Sequence, residues 1–308
     1  MSKTAFVFPG QGAQAVGMGK DVYDAVEASR SVFERADEVL GFKLSDIIFG
    51  GPDETLKQTV NTQPALLTVS AALLKALEGK GLRPDYVAGH SLGEYSALVA
   101  AGSLSFEDAV KTVRARGEFM EQAVPGGQGA MAAVLGAERE ALASLCAAVS
   151  SEGASHTVEL ANVNCPGQIV VSGAAAGVQA IVERGKEAGA KRVVPLEVSG
   201  PFHSSLMKPA AEKLAEVLKG VTVHDAAVPV VANVTARPVT DASEIRGLLV
   251  EQVYSPVLWE DTVRYLIEQG VDTFVEIGSG TVLAGLIKKV DKSVKIVSVN
   301  SLESLNQL

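Results

Sequence analysis

Short apolar runs alternate with longer segments of helical periodicity in the first part of the chain. The runs at Thr4–Phe8 and Asp85–Ala88 predict strands, each followed by a glycine-containing loop. Helices are predicted at about residues 21–40, 61–77, 94–101 and 107–123. Pro64 is expected in the first turn of the second helix, where its missing N–H is tolerated. Strands that alternate with helices in this way indicate an α/β fold with a parallel sheet.

The pattern changes after Pro125-Gly126-Gly127. The elements that follow, up to about residue 198, have the order β-α-β-β-α-β, which is typical of a ferredoxin-like unit. We therefore predict a large parallel-sheet domain formed by residues 1–128 and 199–308, with a small ferredoxin-like subdomain inserted at residues 129–198. After the insertion, the pattern predicts helices near 205–218, 242–252 and 256–269, and strands at Val228–Asn233 and Thr273–Ile277.

Composition narrows the class of protein. The 308 residues are 47% hydrophobic and 20% charged, which is a globular balance with enough apolar side chains for a sizeable core. The net charge of -9 and the lack of a long basic run argue against a nucleic-acid partner. No signal peptide opens the chain and no apolar stretch is long enough to span a bilayer, so a cytoplasmic protein without a membrane partner is expected. Cys146 and Cys165 lack metal-ligand spacing and are expected to pack in the core or in a turn.

The strongest local signal is Gly89-x-Ser91-x-Gly93, placed between a predicted strand and a predicted helix. A serine at such a position sits on a sharp turn, and flanking glycines leave room for the turn and for a substrate. The N-terminus of the following helix also directs N–H groups towards it, which suits a developing oxyanion. The pattern predicts that Ser91 is a nucleophile, and a structural turn is the alternative.

A nucleophilic serine needs a base, and the chain has four histidines: His90, His156, His203 and His224. His90 adjoins the serine, but neighbours on such a turn point in different directions. His156 and His224 lie in polar, loop-like or charged segments. His203 lies in a turn at the predicted boundary between the two domains, where catalytic groups often collect. It is therefore the candidate base, with an ordinary partly buried histidine as the alternative.

A second glycine loop, Gly10-x-Gly12-x-x-Ala15, loosely fits the dinucleotide-binding fingerprint. That fingerprint requires an acidic residue at the tip of the next strand, about 20 positions on. In this chain the corresponding position falls inside a predicted helix, so the fingerprint fails. Arg116 lies in the helix predicted at 107–123, where an arginine is usually solvated. It would matter in a site that binds a carboxylate, because the guanidinium offers two parallel donors.

Six motifs stand in order from about residue 4 to 300, and together they are more specific than any one of them. They are Phe8-Pro9-Gly10-Gln11-Gly12-Ala13-Gln14, Gly89-His90-Ser91-Leu92-Gly93-Glu94-Tyr95, Arg116-Gly117-x-x-Met120, Asn162-x-Asn164-x-Pro166-Gly167-Gln168, Gly200-Pro201-Phe202-His203 and Gln252-x-x-x-Pro256-Val257-x-Trp259. The chain thereby resembles the malonyl-CoA:acyl-carrier-protein transacylases of fatty acid synthesis and the acyltransferase domains of polyketide synthases.

The resemblance implies an α/β-hydrolase-like core with an inserted ferredoxin-like subdomain. It implies that Ser91 is the nucleophile and His203 the general base, oriented by the backbone carbonyl of Gln252 in place of an acidic residue. The expected oxyanion hole is formed by the backbone N–H groups of Gln11 and Leu92. Substrate-binding residues carried over from the motifs are Arg116, for the malonyl carboxylate, together with Asn162 and Phe202.

The implied substrates are malonyl-CoA and the phosphopantetheine thiol of acyl carrier protein, with no metal or redox cofactor. Carrier proteins are acidic and this chain has a net charge of -9, so the two repel each other overall. Docking is therefore expected to need a local basic patch. The candidates for that patch are Arg184, Lys186, Lys191, Arg192, Lys288 and Lys289. A discrete polyketide acyltransferase, a serine hydrolase with Glu107, Asp108, Glu159 or Glu197 as its acid, and a non-catalytic docking or nucleotide-binding protein remain as alternatives.

Overall fold

The computed structural model describes residues 1–308, and its eleven strands form two sheets. The strands are β1 (Lys3–Phe8), β2 (Tyr86–Gly89), β3 (Gly129–Leu135), β4 (Val158–Cys165), β5 (Gln168–Ala174), β6 (Arg192–Pro195), β7 (Val230–Val231), β8 (Pro238–Val239), β9 (Val257–Leu258), β10 (Val271–Ile277) and β11 (Lys295–Val299).

Fourteen α-helices pack around these sheets. They are α1 (Lys20–Ala25), α2 (Glu27–Leu40), α3 (Leu44–Gly50), α4 (Asp53–Lys57), α5 (Thr59–Leu77), α6 (Gly93–Ala100), α7 (Phe106–Gln122), α8 (Arg139–Ser150), α9 (Ala175–Arg184), α10 (Lys208–Lys219), α11 (Ala242–Gln252), α12 (Trp259–Glu268), α13 (Val282–Val290) and α14 (Leu302–Asn306). Short 3₁₀ turns lie at Ala154–His156, Gly185–Ala188 and Ser205–Met207. None of the helices is both long and apolar enough to cross a bilayer.

The larger sheet has the strand order β11-β10-β1-β2-β7-β8 and is parallel except for the β7–β8 pair. Its central strand β1 is apolar on both faces, as expected for a parallel strand covered by helices on either side. Phe6 and Phe8 face the main core, whereas Ala5 and Val7 face a second core that contains Trp259. The carboxyl ends of β1 and β2 lie side by side, because Phe8 pairs with Gly89. The loops that follow these two strands therefore meet at one edge of the sheet.

The smaller sheet has the order β6-β3-β5-β4-β9. Strands β3 to β6 pair antiparallel and cover a separate core together with α8 and α9. The edge strand β9 comes from residues 257–258 and pairs with β4 in parallel. The smaller sheet is thus extended by a segment that lies far beyond residue 198, which links it directly to the larger part of the molecule.

Several predicted elements differ from those in the structure. The helix predicted at 21–40 is two helices, because Val26 is extended between α1 and α2. The strand predicted at 228–233 is reduced to Val230–Val231, and the helix predicted from 256 begins only at Trp259 because the preceding pair forms β9. The last strand predicted in the inserted segment, expected to end near residue 198, contains only Arg192–Pro195. Helices α3, α4 and α13 and strand β11 were not predicted.

The prediction for Pro64 is wrong in its position. Helix α5 begins at Thr59, so Pro64 lies at its sixth residue, beyond the first turn. A proline there cannot donate to the carbonyl of the residue four positions earlier, Val60. That carbonyl accepts a hydrogen bond from Arg114 Nη1 at 3.1 Å instead. The Arg114 side chain from α7 thus satisfies the carbonyl that the proline leaves free.

Candidate active site

Ser91 occupies a tight turn between β2 and α6, with a φ of 51°. This left-handed conformation is disfavoured for residues that carry a Cβ atom. The flanking glycines explain how the turn is possible. A Cβ atom on Gly89 would lie 1.9 Å from the carbonyl of Gly93, and one on Gly93 would lie 2.1 Å from the carbonyl oxygen of Phe8. The two glycines therefore let the turn close against itself and against the end of β1.

His203 is buried, and its side chain reaches Ser91 from the turn that follows β6. Its Nε2 lies 2.7 Å from Ser91 Oγ, and its Nδ1 lies 2.9 Å from the backbone oxygen of Gln252. Because a carbonyl can only accept, Nδ1 carries the proton and Nε2 is left to accept from the serine hydroxyl. Burial, and next the positive charge of Arg116, lower the pKa of His203 to about 3. The imidazole is therefore neutral at neutral pH and free to take up a proton.

No carboxylate takes the orienting position beside His203, since the Gln252 carbonyl is there. Two of the acids considered as possible triad members have other partners. Glu107 pairs with Arg35 at 3.1 Å, and Glu159 accepts hydrogen bonds from Ser205. This geometry differs from that of a hydrolase with a Ser-His-acid triad.

Arg116 is almost completely buried, in contrast to the solvated position that is usual for an arginine on such a helix. Its Nη1 donates to Gln63 Oε1 at 2.8 Å, and its Nη2 donates to Gln252 Oε1 at 2.8 Å and to Ser91 Oγ at 3.1 Å. All three acceptors are uncharged. Burial lowers the pKa of Arg116 from its ordinary value, but a guanidinium stays protonated in proteins. A buried cation held only by neutral oxygens beside the serine is well suited to an anionic ligand.

Gln11 and Leu92, whose backbone N–H groups are the predicted oxyanion hole, line the same cavity as Ser91. The loop after β1 lies tightly against the serine turn, because a Cβ atom on Gly10 would lie 2.2 Å from the carbonyl oxygen of His90 and 3.7 Å from Leu92 N. Neither backbone N–H donates a hydrogen bond to another main-chain group of the loops. The side chain of Gln11 donates to Thr59 Oγ1 at 3.0 Å and so anchors this loop to α5. Both amides are thereby available to an oxygen of a bound substrate.

The cavity next to Ser91 has a volume of about 130 Å³. The polar site residues line one part of it, and apolar side chains line the rest. Asn162 and Phe202 both line it, together with His203 and Arg116. The apolar wall consists of Leu92, Met120, Met131, Leu196, Val198 and Phe202. Because Met131, Asn162, Leu196 and Val198 come from residues 129–198, the cavity lies between the two parts of the chain. All eight site residues predicted from the sequence therefore line this cavity or contact a residue that does.

Asn233 is a site residue that sequence reasoning missed. Its Oδ1 accepts from the backbone N–H of Ser91 at 2.8 Å and from Gln252 Nε2 at 3.2 Å, and its Nδ2 donates to the Gly89 carbonyl at 2.7 Å. Its own backbone N–H donates to Glu94 Oε1 at 2.6 Å. Asn233 follows β7 at the same sheet edge as the serine turn. A polar residue at the carboxyl end of the strand predicted at 228–233 was the signal that could have identified it.

Glu94 is the buried carboxyl group of this network. Burial raises its pKa to about 7, although the Asn233 N–H and the charge of Arg116 act in the opposite direction. His90, next to the serine, is turned away from it: His90 Nε2 lies 2.8 Å from Asn164 Oδ1, and its ring packs against Trp259. Glu94 and His90 therefore brace the serine turn from behind, without contacting the serine side chain.

The fold and the Ser91–His203 pair are typical of enzymes that transfer acyl groups. Comparison with known protein families identifies the group within that class. The model of the acyl transferase domain matches residues 5–305, and the chain belongs to this family. The expected α/β fold class is confirmed by the sheets and by the solved structures described next.

The similar proteins extend over the full chain. A malonyl CoA-acyl carrier protein transacylase of Bacillus subtilis (strain 168) is 57% identical over 305 residues, which cover 99% of this chain and 96% of that protein. A second such transacylase, from Staphylococcus aureus (strain MRSA252), is 52% identical over 99% of this chain and 98% of its own length. The acyl-carrier-protein-S-malonyltransferase of Bartonella henselae has a TM-score of 0.95 at 45% identity, covering 100% and 98%. The solved structure of a type II PKS acyl-carrier protein in complex with its malonyl-transacylase also contains a similar chain. The match has a TM-score of 0.95 at 43% identity and covers 99% of this chain and 98% of that one.

Proposed function

We propose that this protein transfers the malonyl group of malonyl-CoA to the phosphopantetheine thiol of acyl carrier protein, through a malonyl ester on Ser91. The observation that carries the proposal is the buried Arg116, which has only uncharged partners and lies 3.1 Å from the serine oxygen. An acyl group with a free carboxylate supplies the missing anion. The activity of the similar proteins named above, at 57% and 52% identity, supports the same substrates.

In the first half-reaction, His203 Nε2 takes the hydroxyl proton while Ser91 Oγ forms a bond to the thioester carbon. The carbonyl oxygen becomes an oxyanion, and the N–H groups of Gln11 and Leu92 donate to it. When the oxyanion collapses, the carbon–sulfur bond breaks. The thiolate of coenzyme A takes the proton back from His203 and leaves. The malonyl group is then held as an oxygen ester on Ser91.

The second half-reaction is the first in reverse, with a different thiol. The phosphopantetheine thiol gives its proton to His203 Nε2 and its sulfur attacks the ester carbon. The same two amides stabilise the oxyanion, and the carbon–oxygen bond to Ser91 breaks as Ser91 Oγ takes the proton from His203. Because both half-reactions exchange an acyl group between nucleophiles, the chemistry needs no metal or redox cofactor.

Arg116 is proposed to select the acyl group. When malonyl enters, its carboxylate replaces the serine hydroxyl as an acceptor for the guanidinium, while Gln63 continues to accept from Nη1 and Gln252 from Nη2. The narrow cavity, with Phe202 in its wall and Asn162 beside it, would limit the size of the acyl group. The resting contact of Arg116 with Ser91 Oγ therefore has to give way when substrate binds.

The division of labour within the chain is also proposed here. Residues 1–128 and 199–308 would form the catalytic part and residues 129–198 a ferredoxin-like subdomain that covers the cavity. Of the six basic residues considered for carrier-protein docking, Arg184 is already paired with Glu152 and Glu187. The others, Lys186, Lys191, Arg192, Lys288 and Lys289, are exposed and form no ion pair. A cytoplasmic location is proposed from the substrates alone.

The direct test is to incubate the protein with malonyl-CoA that carries a radiolabel in the malonyl group. We expect label that stays on the protein under denaturing conditions, is absent from Ser91→Ala, and moves to carrier protein when that is added. Label that never becomes covalent would contradict the proposal, and label released only as free malonate would indicate a hydrolase. Fatty acid synthesis is the proposed pathway. A discrete polyketide acyltransferase would prefer a polyketide carrier protein in the same assay.

A further inference from the structure

The turn that carries His203 is strained in the same sense as the serine turn. His203 has a φ of 57°, in the left-handed region that is unfavourable for a histidine. Such a conformation persists only when surrounding contacts hold it. The hydrogen bond from His203 Nδ1 to the Gln252 carbonyl fixes the ring, but it does not fix the main chain that delivers the ring.

Contacts on the residues after His203 hold that main chain. Ser204 Oγ donates to the Pro201 carbonyl at 2.7 Å and closes the turn upon itself. Ser205 makes two hydrogen bonds to one carboxylate: its backbone N–H donates to Glu159 Oε2 at 2.7 Å, and its hydroxyl donates to Glu159 Oε1 at 2.6 Å. These two bonds tie the main chain of the turn to a different part of the fold.

Glu159 lies on β4, inside the smaller sheet, where it pairs with Ser172 of β5. β4 is a firm support, since it pairs with β5 along most of its length and with β9 at Asn162 and Val163. Hydrogen bonds to a carboxylate are shorter and stronger than those between neutral groups. A carboxylate that uses both oxygens also fixes direction, because it constrains the main chain and the side chain of Ser205 together.

We infer that Glu159 is a positioning residue for His203: it anchors the strained turn to the smaller sheet and so holds Nε2 within reach of Ser91 Oγ. The inference rests on the proposed function, in which His203 is the base. It gives the inserted segment a part in proton transfer, in addition to its contribution to the cavity wall. Glu159 does not touch His203, so it differs from the acid of a Ser-His-acid triad.

The competing explanation is purely structural. Ser205 begins the 3₁₀ turn that leads into α10, and a carboxylate at this point also caps the free N–H groups of a helix start. Loss of such a cap lowers the stability of the whole protein, but it has no specific effect on the position of His203. A double-mutant cycle with His203→Ala separates the two roles, because residues that act as one unit have strongly non-additive effects.

The experiment measures single-turnover formation of malonyl-enzyme and thermal unfolding for Glu159→Ala, Glu159→Gln and Ser205→Ala. Glu159→Ala should slow acylation about 10- to 100-fold, since a misplacement of about 1 Å can cost that much, with little change in the KM for malonyl-CoA. Ser205→Ala keeps the bond to the backbone N–H and should lose less. Glu159→Gln should recover most of the rate, because an amide oxygen can accept from the N–H while the hydroxyl accepts from the amide.

The matched control is Glu212→Ala, an exposed glutamate on α10, which should leave the rate unchanged. In a His203→Ala background, Glu159→Ala should cause no further loss. An equal loss in both backgrounds, together with lower thermal stability, would overturn the inference and leave Glu159 as a cap. If Glu159→Ala does not fold, Ser205→Ala carries the same comparison, because it removes one of the two bonds to Glu159. A His203→Ala enzyme with the wild-type rate would instead contradict the proposed function itself.

Discussion

Arg116→Ala gives the sharpest test of how the site chooses its acyl group. In the proposed complex, the guanidinium and the malonyl carboxylate form a charged pair in a site where the arginine is 1% exposed. Removing one partner of such a buried pair typically costs about 3–5 kcal/mol. Since 1.36 kcal/mol corresponds to a factor of ten in rate, kcat/KM for malonyl-CoA should fall by about 10²–10⁴-fold.

Acetyl-CoA has no carboxylate, so its transfer should respond differently. The acetyl reaction loses only the contact between Arg116 and Ser91 Oγ, and it gains from the removal of an uncompensated buried charge. Its kcat/KM should change by about tenfold or less. The preference for malonyl over acetyl should therefore collapse. Arg116→Lys should restore little of it, because an ammonium cannot reach the carboxylate, Gln63 and Gln252 with the same planar fork.

The assay is the ratio of kcat/KM for malonyl-CoA to that for acetyl-CoA, measured with one carrier protein for each variant. Arg114→Ala is the matched control, since this arginine lies on the same helix but contacts the start of α5. It should lower stability and leave the ratio unchanged. Equal losses for the two substrates in Arg116→Ala would refute the reasoning and assign Arg116 a structural role.

The remaining predictions concern the base, a buried acid and the surface. His203→Ala should slow acylation by about 10²–10⁴-fold, and the wild-type rate should show no midpoint near pH 6.5, because the pKa of this histidine is lowered to about 3. A fall in rate centred near 6.5 would contradict this. Glu94 has its pKa raised to about 7, so the folded state holds more protons than the unfolded state between about pH 4.5 and 7, and its contribution to stability falls as pH rises. As pH rises across that range, the free energy of unfolding of Glu94→Gln should therefore increase by up to about 3 kcal/mol relative to that of the wild type. Denaturant unfolding at several pH values measures this difference. Charge reversal at Lys191 and Arg192 should raise the KM for carrier protein at low salt more than the KM for malonyl-CoA; unchanged carrier kinetics would place docking elsewhere.

The serine turn could be predicted because its requirements are local. The close contacts of Gly89 and Gly93 involve residues within a few positions of Ser91 or at the end of the neighbouring strand. A five-residue pattern between a strand and a helix therefore contains most of the information. The order of the elements in the inserted segment was likewise visible, since alternation and helical periodicity are local properties.

The supporting residues could not be predicted from local patterns, because tertiary packing brings them together. Gln63 reaches Arg116 across 53 positions in sequence, and Asn233 reaches Ser91 across 142. The orienting carbonyl of Gln252 was indicated only by resemblance to a family, since every residue has a backbone carbonyl. The prediction for Pro64 was wrong for the same reason. A proline is tolerated at its position in α5 because Arg114, from another helix, donates to the carbonyl that the proline leaves free.

The chemistry of the partners around Arg116 follows one consistent logic. Gln63 and Gln252 hold the guanidinium through amide oxygens, which accept hydrogen bonds as carboxylates do but carry no charge. A glutamate at either position would accept the same hydrogen bond but neutralise the arginine, and so remove the uncompensated charge that attracts a malonyl carboxylate. The orienting group of His203 is likewise a neutral carbonyl. Glu94 is the one buried acid nearby. Burial raises its pKa to about 7, and its carboxyl group accepts a hydrogen bond from the Asn233 main chain. In the proposed function, the site therefore keeps its only strong positive charge for the substrate, and a free carboxylate on the acyl group is the feature that it recognises.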